Sequence, residues 1–175
     1  MPHRSASSPV IRLRGVSKAF PREGAEFRAL DSISLDVASG EFIAVTGKSG
    51  SGKSTLLNLM AGLDRPSQGE IEIAGESIGT WNESRLCAWR GRTIGVVFQF
   101  FQLLPTLTVE ENVMLPADFR GSLSRAAAHA RAGGLLRQLG IADQAHKFPA
   151  CLSGGQQQRA AIARALVNQP PLLVA

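Results

Sequence analysis

Apolar and polar residues alternate from Val10 to Val16 and again from Ile33 to Val37, which predicts two strands of an antiparallel β layer. Pro21 is expected to end the first strand after Ser17–Phe20, and Glu23–Arg28 to form a polar turn. Glu41–Thr46, rich in β-branched and aromatic residues, reads as a third strand. It leads through a glycine-rich segment into a helix with an apolar face, Leu56–Ala61. Gly62 suits the end of that helix, Arg65–Ser67 a turn and Gly69–Ile73 another short strand. Asn82–Arg92 is expected to be helical, anchored by Trp81, Leu86 and Trp89. Thr93–Phe98 is almost continuously apolar, the pattern of a strand covered on both faces, and it delivers Gln99 to its end.

Beyond Pro105 the pattern turns helical. Thr108 and Glu111 form a capping box for a short helix expected to stop before Pro116. Ser124 opens a longer helix closed by Gly140, with Leu123, Leu135, Leu136 and Leu139 on its buried side. Leu152–Gln156 then precedes a helical stretch, Gln157–Val167, that places Ala161, Ile162, Ala165 and Leu166 on one face. Pro170 and Pro171 end it, and Leu172–Ala175 begins an apolar run. Residues 1–9, rich in serine and proline, read as a disordered N-terminus.

Composition narrows the class. The 175 residues are one domain's worth of chain, and 44% hydrophobic content is enough for a core. The net charge of +5 could favour polyphosphate or an anionic membrane surface, but the charges are dispersed, which reads as a soluble basic surface. Cys87 and Cys151 lie far apart, and His3, His129 and His146 show no ligand spacing, so neither a disulfide framework nor a zinc site is expected. No apolar run approaches the roughly 20 residues that span a bilayer, so a membrane role requires a partner.

The chemistry begins at Gly47–Thr55, where a glycine, four residues and then Gly52, Lys53 and Ser54 follow a predicted strand and open a helix. Gly47, Gly50 and Gly52 allow backbone N–H groups to approach phosphate oxygens. Lys48, Ser49 and Ser51 complete the loop. Lys53 supplies a cation for terminal phosphates, Ser54 a hydroxyl for Mg²⁺ and Thr55 a further donor. The helix dipole adds positive potential at the same place.

A second glycine-led helix start lies at Leu152–Gln156. Ser153 is a natural N-cap, and Gly154 and Gly155 leave the N–H groups accessible. This tip could meet an anion, or it could be an ordinary capped helix.

In this order the motifs resemble those of the ATP-binding subunits of ABC transporters: an aromatic after a strand, Gly47–Thr55, Val97-Phe98-Gln99, Leu152–Gln156 with Gln157, Gln158 and Arg159 behind it, and a last apolar strand. The resemblance spans roughly residues 10–175. Phe100–Pro116 and Arg28–Asp31 look like the lipoprotein-release and macrolide-export branch. The implied fold is α/β: a P-loop NTPase core of the ABC ATPase type, with an antiparallel β layer and a helical subdomain at roughly 100–165, missing its C-terminal strands.

The resemblance also implies roles. Phe20 would stack on adenine, and Gln99 would touch Mg²⁺ and the attacking water. Ser153, Gly154, Gly155 and Gln156 would bind the γ-phosphate of ATP held by a second copy, giving a head-to-tail homodimer. A transmembrane permease subunit would be the partner, with no nucleic acid and no direct membrane insertion. The location would be cytoplasmic, at the inner face of the cell membrane.

Members of this family carry Asp-Glu after the last strand and a later His, and neither follows Val174 in this sequence. A non-hydrolysing nucleotide-binding fragment is therefore the alternative reading. Soluble relatives acting on DNA or ribosomes carry coiled-coil insertions or paired cassettes, which this sequence does not show, and a small-molecule kinase leaves Leu152–Gln156 unexplained. Loss of a central strand would leave buried backbone groups unpaired at about 1–3 kcal/mol each. Against a total stability of roughly 5–15 kcal/mol, this predicts an unstable or rearranged chain with exposed strand edges.

Overall fold

The structure is a computed structural model that describes residues 9–22 and 25–175. The expected disordered N-terminus therefore lies, Pro9 aside, outside the described residues. The chain divides into two compact units, Met1–Leu86 and Cys87–Ala175.

The first unit is built on a sheet of four strands: β1 (Ile11–Arg22), β2 (Ala25–Val37), β3 (Gln68–Ile73) and β4 (Glu76–Ser77), in the order β2-β1-β3-β4 and antiparallel throughout. Ile11, Leu13, Val16, Leu30, Val37, Ile71 and Ile73 are its buried apolar residues, joined by Leu59 and Met60 of helix α1 (Lys53–Met60). Gly62 follows the cap residue Ala61 in the left-handed region, with φ 64°.

Two expectations for this unit need correction. Strand β1 does not end at Phe20 but continues through Pro21 to Arg22, and β2 already begins at Ala25 inside the expected turn. The reason is local. Pairing of β1 with β3 stops at Ser17–Gln68, so beyond it β1 is an edge on that side and proline's missing N–H removes no bond there. The second correction concerns Glu41–Thr46, which forms no strand. A β-rich composition becomes a strand only when a neighbour accepts its ladder. No described residue pairs with this segment, and Phe42 is 94% exposed.

Helix α2 (Glu83–Thr93) carries the chain into the second unit, with Asn82 Oδ1 accepting from the Arg85 amide at 2.9 Å as its start. Trp81, Leu86 and Trp89 are all buried. The apolar run after it yields only a three-residue strand, β5 (Ile94–Val96), paired in parallel with β6 (Leu172–Val174).

Helices α3 (Val109–Arg120), α4 (Arg125–Gln138) and α5 (Gly154–Leu166) surround a core that includes Val109, Val113, Leu136, Ile141 and Val167. Ala117, Ala128, Ala132, Ala160 and Ala163 also lie in it, and such small side chains let helix backbones approach closely.

Here too the outcome departs from pattern. Helix α3 runs through Pro116 instead of stopping before it, because Val113, Met114 and Ala117 bury one continuous face on either side of the proline. Asn168 ties the helix from outside, its Nδ2 donating to the Pro116 carbonyl at 2.9 Å and to that of Gly91 at 3.0 Å. Of the leucines expected to line α4, only Leu136 is fully buried. Helix α5 starts at Gly154, three residues earlier than expected, and buries Ala160, Ala161, Ala163 and Ala165 while Ile162 and Leu166 stay half-exposed.

Candidate functional site

The loop Gly47–Gly52 turns the chain so that α1 begins on a glycine. Gly50 and Gly52 are left-handed, with φ 79° and 87°. At Gly52 a Cβ would lie 2.5 Å from the Ala29 carbonyl oxygen and 2.9 Å from Leu30 Cδ2, so only glycine fits where the loop rests on β2. No side chain caps α1 and no acidic residue occupies its first turn, which leaves its positive end undiluted.

Lys53 folds back over the loop. Its ammonium donates to the carbonyls of Gly47 at 2.9 Å and Lys48 at 2.8 Å, which leaves one N–H of three for an anion. Lys48, Ser49, Ser51 and Ser54 are exposed around it, and Thr55 is half-buried.

In the same unit, Phe20 lies on β1 directly opposite Phe27 of β2. Directly paired residues share one face of a sheet, so the two rings, 37% and 47% exposed, form one aromatic surface. Lys18 Nζ sits 4.9 Å from the Phe20 ring centroid, fixed by Asp64 Oδ1 at 2.6 Å and the Arg65 carbonyl at 2.9 Å. The sequence singles out Phe20 as a candidate and gives no sign of its neighbour Phe27. The signal is the hairpin register, which becomes visible only once β1 is allowed to pass Pro21.

Gln99 is exposed in the turn that follows β5, in the second unit, whereas Ser54 belongs to the first. The chain after Gln99 takes an uncommon course. Phe101 and Gln102 are consecutive left-handed residues with side chains, at φ 55° and 48°, a conformation that costs about 1–2 kcal/mol per residue.

Two side chains from neighbouring helices hold this stretch. Arg164 of α5 donates to the carbonyls of Phe101 and Gln102, each at 2.5 Å. The fully buried Asn112 of α3 accepts from the Leu104 amide at 2.7 Å and donates to the carbonyls of Leu104, Leu107 and Thr108 at 2.9–3.1 Å. Neither residue carries a motif signal in the sequence.

The second glycine-led tip is built differently from the first. Ser153 Oγ accepts from the Gln156 amide at 3.3 Å while Gln156 Oε1 accepts from the Ser153 amide at 2.9 Å, a reciprocal capping box. Gln157 Nε2 ties the preceding turn, donating to the carbonyls of Pro149 at 3.0 Å and Leu152 at 3.3 Å. Ser153, Gly154 and Gly155 are exposed. The serine oxygen is occupied as an acceptor, but its own proton remains available to a ligand.

A phosphate-type loop opening α1 and a Leu-Ser-Gly-Gly-Gln cap opening α5 thus stand in one chain. The family model described as ABC transporter matches residues 30–175. The chain belongs to the ABC transporter family.

Among relatives of this ABC protein, a macrolide export ATP-binding/permease protein of Hyphomonas neptunium is 44% identical over 95% of the chain, which covers 26% of that protein. An ABC transporter ATP-binding protein of Mycobacterium tuberculosis is 48% identical, with 95% of the chain and 67% of the relative covered. A lipoprotein-releasing system ATP-binding protein of Chromohalobacter salexigens is 44% identical over 94% of the chain and 69% of its own length. The ABC protein therefore spans about a quarter of the exporter and about two thirds of the two ATP-binding proteins.

The ATP-binding cassette MJ0796, solved as a dimer in a post-hydrolysis state bound to ADP and Pi, is 40% identical with a TM-score of 0.88, covering 93% of the chain and 72% of the cassette. The fold is that of an ABC ATPase cassette: P-loop NTPase core, antiparallel β layer and helices.

Proposed function

We propose that the protein is the ATP-binding part of a transporter of the export or lipoprotein-release type, coupling nucleotide binding and hydrolysis to a membrane permease. The observation that carries this reading is the uncapped, lysine-bridged loop at the start of α1, a concentrated set of donors with no acidic residue in the helix's first turn to satisfy it. Gly47–Thr55 would wrap the phosphates, with Lys53 turning its free N–H to the terminal one. Phe20, widened by Phe27, would stack the base.

Mg²⁺, when bound, would neutralise charge between the terminal phosphates. The donors assigned to it are the exposed Ser54 hydroxyl and the Gln99 amide oxygen, hard neutral oxygens that suit an ion which keeps most of its waters. Gln99 would also orient the attacking water. Ser153, Gly154, Gly155 and Gln156 would meet the γ-phosphate held by a second copy, with the capping box aiming the serine proton outward. Homologous names and the dimeric cassette support pairing and a permease partner.

We assign the helical subdomain to roughly residues 100–165, the stretch that contains α3, α4 and most of α5. No helix among the described residues is long and apolar enough to cross a membrane, so attachment at the inner face would run through the permease. The test is Mg·ATP binding to the protein by calorimetry, with chain pairing followed by light scattering and permease copurification from its own cell. Micromolar to millimolar binding that induces pairing supports the reading. Absence of Mg·ATP binding overturns it.

A further inference from the structure

The turn after Gln99 contains the two consecutive left-handed residues, Phe101 and Gln102, neither of which is a glycine. Such a pair persists only where surrounding structure over-determines it. Local bonds close the turn: the Phe101 amide donates to the Phe98 carbonyl at 2.9 Å and the Gln102 amide to that of Phe100 at 2.5 Å. They leave the carbonyls of Phe101 and Gln102 without a partner from the turn itself.

Both carbonyls converge on one guanidinium. Arg164 Nη2 donates to Phe101 and Nη1 to Gln102, so a planar fork grips two successive peptide units. Burial lowers the Arg164 pKa from its ordinary value, and the partners that offset its desolvation are these carbonyls rather than a carboxylate. Arg164 stands on α5, the same helix whose first residues form the Ser153–Gln156 tip. About three helical turns of rigid backbone separate fork from tip.

We infer that Arg164 is a positioning residue: its fork holds the Phe101–Gln102 kink, and through it the backbone that presents Gln99, so that the helix behind the signature tip and the Gln99 turn move as one piece. The inference rests on the proposed role of Gln99 at the nucleotide's metal. A residue that merely stabilised α5 would hold the fold without affecting how Gln99 reads Mg²⁺.

The test uses the full chain and measures ATP affinity with Mg²⁺ and with chelator, the ratio reporting the metal-dependent part. Gln99→Ala is expected to cut that ratio about tenfold, the scale of one lost charge-assisted contact. Arg164→Met, which keeps the apolar stem, should cut it similarly, and the double variant should lose no more than either single one. Arg164→Lys, which keeps charge without the fork, should fall between. Gln102→Gly makes one left-handed position costless and should restore part of the loss in the Arg164→Met background.

Hydrogen exchange over residues 99–104 should rise in Arg164→Met and fall back in the rescued pair. If Gln99→Ala leaves the ratio unchanged, the Gln99 reading fails, while the exchange data still judge the fork. If Gln99→Ala acts but Arg164→Met does not, or the two losses multiply, the inference is overturned. Should Arg164→Met not fold, Arg164→Lys with and without Gln102→Gly decides by the same comparison.

Discussion

Two helices of this protein begin on glycine-rich segments, and they begin in opposite ways. Helix α1 opens on Gly52 with no side-chain cap, and its lysine leans over the loop's carbonyls. Helix α5 opens on Ser153 with both cap donors reciprocally satisfied by Ser153 and Gln156. The first is a set of donors waiting for charge. The second is complete in itself and offers an outside ligand a hydroxyl proton, two bare glycines and the rest of the helix dipole. Under the proposed function, one end would enclose an anion, and the other would be pressed against an anion that a second copy already holds.

The sharpest break in that comparison comes from charge. Lys53→Ala removes the loop's free cationic donor and should weaken ATP binding at least about a hundredfold, the scale of losing charge-assisted contacts to phosphate. Ser153→Arg should leave single-chain affinity within about twofold, a few tenths of a kcal/mol, yet abolish ATP-dependent pairing, since its bulk stands where a second chain would dock. Calorimetry and light scattering on both variants check this. Equal loss of binding in the two would mean that the tips do not divide the work.

Glycine substitutions sharpen the contrast one step down in size. Gly52→Ala drives a Cβ into the Ala29 carbonyl at a left-handed position, and at least about 2 kcal/mol of stability or the loop's shape must go. Gly155→Ala meets nothing within 4 Å and sits in the first turn of a helix. There alanine should stabilise the fold by about 0.5–1 kcal/mol and still hinder pairing, because the added methyl covers the N–H groups. Thermal melts set beside dimer formation separate the two cases.

How much of this was legible depended on whether local chemistry or distant partners decided each element. The Thr108–Glu111 box, the Ser124 cap and the Gly140 stop act within one or two turns, and the structure keeps all three. Glu41–Thr46 reads as a strand from composition, yet a strand is an agreement between neighbours, and none of the described residues pairs with it. Pro116 reads as a terminator, but a buried face on both sides outweighs one missing N–H.

The site followed the same rule. Gly47–Thr55 and Ser153–Gln156 are contiguous and could be read directly. Phe27, Asn112 and Arg164 act across a register, between a helix and a loop, and between a helix and a turn, so nothing in their own neighbourhood marks them. Asn112 shows what that hides: this fully buried side chain makes four bonds to Leu104, Leu107 and Thr108. Asn112→Ala should cost about 2–3 kcal/mol through the groups left unsatisfied, read as a lower melting temperature.

The smallest expected effect compares the two capping boxes of the second unit, one charged and one neutral. Glu111 accepts from the Thr108 amide at 2.7 Å and from its hydroxyl at 2.8 Å, and Gln156 makes the corresponding amide contact at Ser153. The Thr108 backbone bond, then its hydroxyl, and then the nearby Arg125 charge hold the Glu111 carboxyl below its ordinary value of 4.5. A lowered folded value means the charged form is favoured by folding. The stabilisation is therefore fully present above pH 4.5 and is lost as pH falls through the lowered value. Glu111→Gln keeps an amide acceptor and should flatten the part of the acid limb that Glu111 contributes. Glu110 with its His129 partner at 3.1 Å is unchanged in both proteins and cancels in the difference. Amide exchange at the two helix starts between pH 5 and pH 3, corrected for its intrinsic pH dependence, should show α3 loosening in the natural protein while α5 does not. Equal loosening at both starts would mean that the carboxylate adds nothing to its box beyond what the glutamine supplies.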